Sequence, residues 1–117
     1  MLIKERTFDF ALKILLICRE LQNQKEYVLS KQLLRSGTSI GANLSEAEAG
    51  QSKADFIAKM SISSKEARET LYWIQLLKAS KLYEIDFDSL EKEAISIVNI
   101  LTKIVKTSQM NHFKTKK

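Results

Sequence analysis

Glu46, Glu66 and Glu69 are the residues whose type best suits metal or acid–base chemistry. Bundles that hold a metal pair use inward glutamates together with Glu-x-x-His pairs. Here the sole histidine is His112, and no glutamate has a histidine three residues on. Cys18, the sole cysteine, lies in an apolar run with no histidine near it in sequence, which reads as a small core residue. The segment Ser36-Gly37-Thr38-Ser39-Ile40-Gly41 is rich in small residues but lacks the lysine of a phosphate-binding loop and follows no strand pattern. The sequence is therefore read as that of a protein that is not an enzyme and needs neither cofactor nor metal.

Binding chemistry is better represented. Residues 1–102 hold 14 Lys and Arg against 14 Asp and Glu, so the whole formal net charge of +5 resides in 103–117. Its carriers are Lys103, Lys106, Lys114, Lys116 and Lys117, with no acid among them. Such a segment either solvates a terminus or contacts a phosphate backbone. Tyr72 and Trp73 could stack on bases, although an aromatic pair of this kind also serves core or interface packing.

Arg35, Ser39, Asn43 and Glu46 follow one another at helical spacing beside an apolar seam, and Glu66, Glu69, Thr70 and Trp73 make a second polar stripe. If the stripes face one another, Arg35 can pair with Glu66 or Glu69 while Asn43 satisfies nearby donors. Partly buried charges are tolerated only when paired, and such pairs fix register more than they stabilise. If they do not, both stripes face water.

The elements that must carry these residues are helices. The chain of 117 residues contains no proline and three glycines, too few turn formers for a sheet protein. Apolar residues recur at spacings of three and four in four stretches. The first seam is Ile3, Thr7, Phe10, Ile14, Ile17 and Leu21, widened by Phe8, Ala11, Leu12, Leu15 and Cys18. The second is Leu33, Gly37, Ile40, Gly41, Leu44 and Ala47, with Ser30 as its N-cap. Its glycines either let a partner backbone approach closely or break the helix at Gly37. Gly50 reads as a left-handed C-cap and Ser52 as the following N-cap, with Asp55 three residues on. The third seam runs from Phe56 to Leu77. Asp86 or Asp88 caps a fourth, which runs from Phe87 to Ile104.

These patterns predict helices over about 3–22, 30–48, 53–80 and 87–109, packed as an all-α, antiparallel up-down-up-down bundle. Residues 1–110 form a single domain and 111–117 a basic, frayed tail. The longest uninterrupted apolar run, 14–18, is too short to span a bilayer, and no secretory signal precedes it. A single cysteine gives no sign of an oxidising compartment, so the expected location is the cytoplasm. The broad apolar faces of the first and fourth helices exceed what one small bundle hides, which marks an association site.

The run from Leu34 to Ala47, which contains Arg35-Ser36-Gly37, Gly41-Ala42-Asn43 and Glu46, resembles the signature of a bacterial four-helix-bundle family. That family includes proteins encoded in intervening sequences of large-subunit ribosomal RNA genes. A later run, from Ser52 and Asp55-Phe56 through Lys65-Glu66-Ala67 to Glu69-Thr70, Tyr72-Trp73 and Leu76-Leu77, is similar to the family's second block. Where the family commonly has a glycine after the Asn-x-x-Glu element this chain has Ala47, so its loop starts later, near Gly50. The resemblance implies an antiparallel four-helix bundle assembled as a ring-like homopentamer, and no enzymatic activity. Accessory proteins of diversity-generating retroelements are also similar; they partner a reverse transcriptase and bind nucleic acid. Two readings follow. One is a non-catalytic oligomeric protein that binds RNA or DNA through basic surface; the other is a scaffold that docks a partner enzyme such as a reverse transcriptase.

Overall fold

The structure, a computed structural model, describes residues 2–115 and the side chains of 2–113. Four helices follow one another: α1 (Leu2–Asn23), α2 (Val28–Ala49), α3 (Lys53–Ser80) and α4 (Asp88–Thr115). Each packs on the next, and α1 closes the bundle against α4. Ion pairs tie opposite ends of consecutive helices. Lys4 near the start of α1 meets Glu48 near the end of α2 at 3.2 Å. Lys78 near the end of α3 meets Asp88 at 3.0 Å and Glu91 at 2.8 Å at the start of α4. The result is an antiparallel four-helix bundle measuring 54 × 23 × 22 Å.

The seams meet in one core. Ile3, Phe10, Ile14, Cys18 and Leu21 of α1 pack with Leu33, Ile40 and Leu44 of α2, Met60, Ile74 and Leu77 of α3, Phe87 just before α4, and Leu90, Ile97 and Leu101 of α4. Cys18 takes the buried place that the pattern gives to Ile17, which is only half-buried. α2 is continuous through Gly37, so the glycine serves close approach. A Cβ at Gly37 would lie 2.8 Å from Cγ1 and 2.9 Å from Cγ2 of Ile14. The middle of the α2–α3 contact is polar and dry. The Ser63 hydroxyl donates to the Ile40 carbonyl at 2.7 Å, and the Ser36 and Thr70 hydroxyls lie 2.9 Å apart. No buried side-chain nitrogen or oxygen among the described residues lacks a partner.

Local chemistry moves several ends. Ser30 is not the N-cap of α2. The helix starts at Val28, and Ser30 sits buried in its first turn, its amide donating to the Glu26 carboxylate at 2.7 Å. Glu26 therefore does the capping, from just outside the helix. Its longer side chain reaches where a serine at position 30 cannot. Gly50 ends α2 but is extended, at φ −62° and ψ 146°, not left-handed. Only two residues separate it from α3, and a Cβ would lie 3.1 Å from the Ala47 carbonyl and 3.3 Å from Asp55 Cβ. Ser52 caps α3 by accepting from the Asp55 amide at 3.1 Å. Asp86 accepts from the Asp88 amide at 2.9 Å, so it is the aspartate that secures the start of α4.

α4 also runs past 109, the end that the apolar pattern gives it. α4 continues to Thr115, because no proline or glycine interrupts it and because its late turns meet α3. Ser108 and Asn111 line one cleft together with Phe56 and Ile57 from the start of α3. Lys116 and Lys117, and the side chain of Lys114, lie outside the described residues.

Candidate nucleic-acid interface

The two polar stripes do meet, in part. Arg35 on α2 donates through Nη1 to Glu66 Oε2 at 3.1 Å and through Nη2 to Glu69 Oε2 on α3. Trp73 Nε1 donates to the same Glu69 oxygen at 3.3 Å, one turn further along α3. The guanidinium is half open to water while Glu66 is largely covered. Asn43 and Glu46 do not join this cluster. Asn43 turns back on its own helix, donating to the Ser39 carbonyl at 2.9 Å, and Glu46 is exposed. The cluster is a clamp between two helices. Both of its carboxylates are engaged by the Arg35 guanidinium.

Cys18 is equally quiet. Its thiol donates to the Ser30 carbonyl at 3.3 Å, and burial pushes its pKa up to about 11. A thiol so raised is almost entirely protonated near neutrality and is a poor nucleophile. Among the described residues no group of three His, Cys, Asp or Glu side chains is placed to hold a metal ion.

The basic segment lies on α4. After Glu93 that helix carries no acid to its end at Thr115. Lys103 and Lys106, three residues apart, share one outward face, are exposed, and form no ion pair with a described residue. Lys92 and Asn99, exposed and eleven and four residues before Lys103, lie on the same line of the helix. They escape a count of charge by segment because Lys92 stands between Glu91 and Glu93. Four cations elsewhere are engaged within the bundle: Arg6 with Glu93 at 3.0 Å, Lys4 with Glu48, Lys78 with Asp88 and Glu91, and Arg35 with Glu66 and Glu69. The Glu91 and Asp88 hydrogen bonds raise the Lys78 pKa above its ordinary value.

A second surface is apolar. Phe8, Leu12, Leu15 and Leu16 of α1 are exposed, with Phe8 at 65%. They lie on the side of α1 away from Phe10 and Ile14, so the wide face anticipated from the pattern is buried on one edge only. Beside Phe8 runs an open groove of about 660 Å³ between α1 and α2. Thr38, Gly41, Ala42 and Ser45 form its α2 wall, and side chains so short leave it unfilled. No described helix is long and apolar enough to cross a membrane.

The chain is similar to known proteins. The model of the 23S rRNA-intervening sequence protein family matches residues 1–103, so Lys103 is inside the match and Lys106 and the later lysines are beyond it. Among solved structures, a protein of unknown function from the S23 ribosomal protein family of Bacteroides thetaiotaomicron VPI-5482 is similar at 45% identity. The superposition has a TM-score of 0.84 and covers 89% of this chain and 98% of that one. No curated protein matches the chain. With a family match across nearly all of its bundle, the chain belongs to the 23S rRNA-intervening sequence protein family.

Proposed function

We propose that this chain is a non-catalytic, oligomeric accessory protein of the cytoplasm that binds RNA or DNA through the outer face of α4. Lys103, Lys106, Lys114, Lys116 and Lys117 are its main phosphate contacts, and Lys92 extends them along the helix. The observation that carries this reading is the stretch of α4 after Glu93, which is free of acids and bears Lys103 and Lys106, both exposed and paired with no described acid. Positive charge at a helix C-terminus complements the macrodipole, but that effect is confined to the last turn. It does not account for Lys103, three turns before Thr115. Five copies in a ring, the assembly that the family resemblance implies, would gather five such faces.

The proposal is tested by fluorescence anisotropy with a labelled single-stranded RNA and a labelled duplex DNA. Affinity should fall steeply as salt rises, because each phosphate contact releases condensed counterions. Replacing Lys103 and Lys106 by Gln should lower the slope of log affinity against log salt by about 2. The scaffold reading, in which a partner enzyme such as a reverse transcriptase docks on the chain, is favoured by the exposed α1 stripe. It predicts negligible affinity for either nucleic acid near physiological salt.

A further inference from the structure

We infer that the outer face of α4 takes single-stranded nucleic acid, with Phe113 stacking on an unpaired base beside the phosphates that Lys103 and Lys106 hold. The inference rests on the reading of α4 as a nucleic-acid face and names the form of nucleic acid that the face fits. Asn99, Lys103, Lys106, Met110 and Phe113 follow one another at alternating spacings of four and three, which keeps them on one line of the helix. All five are exposed. Met110 and Phe113, at 60% and 65% exposure, are large apolar side chains that the bundle leaves in contact with water. Both lie beyond residue 103, the end of the family match.

The line therefore offers charge first and an apolar, aromatic surface next. Lys106 and Phe113 are seven residues apart, roughly 10 Å along the helix axis. No acid follows Glu93 on α4, so the complement of this line is an anion that also carries apolar faces. A single strand has that chemistry, because its phosphates alternate with bases whose faces are open. Basic surface combined with aromatic stacking is how proteins hold single strands without reading their sequence. A duplex supplies the phosphates but keeps its base faces inside the stack, which leaves Met110 and Phe113 nothing to cover. A lipid surface is met by a helix with its lysines on one face and its apolar residues on the other. Here the two kinds share a single line.

Fluorescence anisotropy with a labelled oligouridylate, free or annealed to oligoadenylate, tests the inference. The duplex has the higher charge density, so phosphate contacts alone would favour it. The natural chain should instead bind the free strand more tightly. Phe113→Ala should weaken binding to the free strand about fivefold or more and leave duplex binding within about twofold. Its slope of log affinity against log salt should match that of the natural chain, because stacking releases no counterions. Phe113→Trp should keep the natural affinity and Phe113→Leu should not, since leucine has no ring. Circular dichroism should be unchanged in all three, because residue 113 is exposed. Tighter binding of the duplex by the natural chain, or an equal loss on strand and duplex in Phe113→Ala, would overturn the inference. So would unchanged strand affinity in Phe113→Ala, including the case in which that change abolishes uptake by phosphatidylserine vesicles instead. Phe113→Ala keeps Lys103 and Lys106. If it binds as the natural chain does while Lys103→Gln with Lys106→Gln binds weakly, the stacking alone is lost; no binding by the natural chain sinks both readings.

Discussion

Gly37 faces Ile14 so closely that one added carbon decides the outcome. An alanine there gains about 1 kcal/mol of helix propensity. Its Cβ would meet a fully buried, β-branched side chain with little freedom to turn away. Overpacking of this kind costs about 1–3 kcal/mol. Gly37→Ala should therefore lower stability in a urea titration, while Gly41→Ala, 3.3 Å from Thr7 Oγ1, should come out nearer to neutral. Cys18 makes a pH prediction. Its folded pKa, raised to about 11 from 9.0, means that the unfolded chain loses the thiol proton first. Stability should hold below about pH 9 and decline between 9 and 11, by at most about 2–3 kcal/mol. Cys18→Ala should remove that part of the decline, and thiol reagents should label the natural chain only on unfolding. The small-residue role of Gly37 and the burial of Cys18 were legible from their place on the seams. The capping by Glu26 was not, because a glutamate outside a helix carries no positional signal comparable to serine or aspartate.

Helix ends show how far local rules reach. α1 closes with Glu26 N–H donating to the Leu21 carbonyl at 2.8 Å and Lys25 N–H to Gln22 at 2.9 Å, with Lys25 left-handed at φ 67°. Glycine usually occupies such a position, and another residue there is strained by roughly 1–2 kcal/mol. Lys25→Gly should raise stability by about 0.5–1 kcal/mol after the glycine's larger unfolded-state entropy is subtracted. Ser52→Ala should cost about 1 kcal/mol by removing the cap of α3. Both are read from thermal or urea denaturation. The four helices were legible from their three-and-four spacing, and Ser52 from its acid three residues on. The last turns of α4 were not. The apolar pattern fades after residue 110, yet a helix with no breaker continues wherever a neighbour covers it, and the start of α3 does so.

At the scale of the molecule, the bundle keeps its chemistry on the outside. Its interior hydroxyls and thiol are satisfied by partners within the chain, while α1 carries an exposed apolar stripe and α4 a face of exposed lysines. The bundle architecture and the basic segment were legible in sequence because burial and net charge follow directly from composition and period. The Arg35 cluster was legible only in part. Helical spacing puts Asn43 and Glu46 in line with Arg35, but α3 supplies partners only where it crosses, at Glu66, Glu69 and Trp73. Which side of α1 is left uncovered depends on the tilt of its neighbours, which no single helix encodes. The account turns on the outer face of α4. The direct measurement is RNA affinity across a salt series for the natural chain and for a variant with Lys103→Gln, Lys106→Gln and residues 114–117 removed. The account predicts measurable binding at low salt and a salt slope shallower in the variant by about one unit per lysine lost. Identical binding by both chains, or none by the natural chain at low salt, would contradict it.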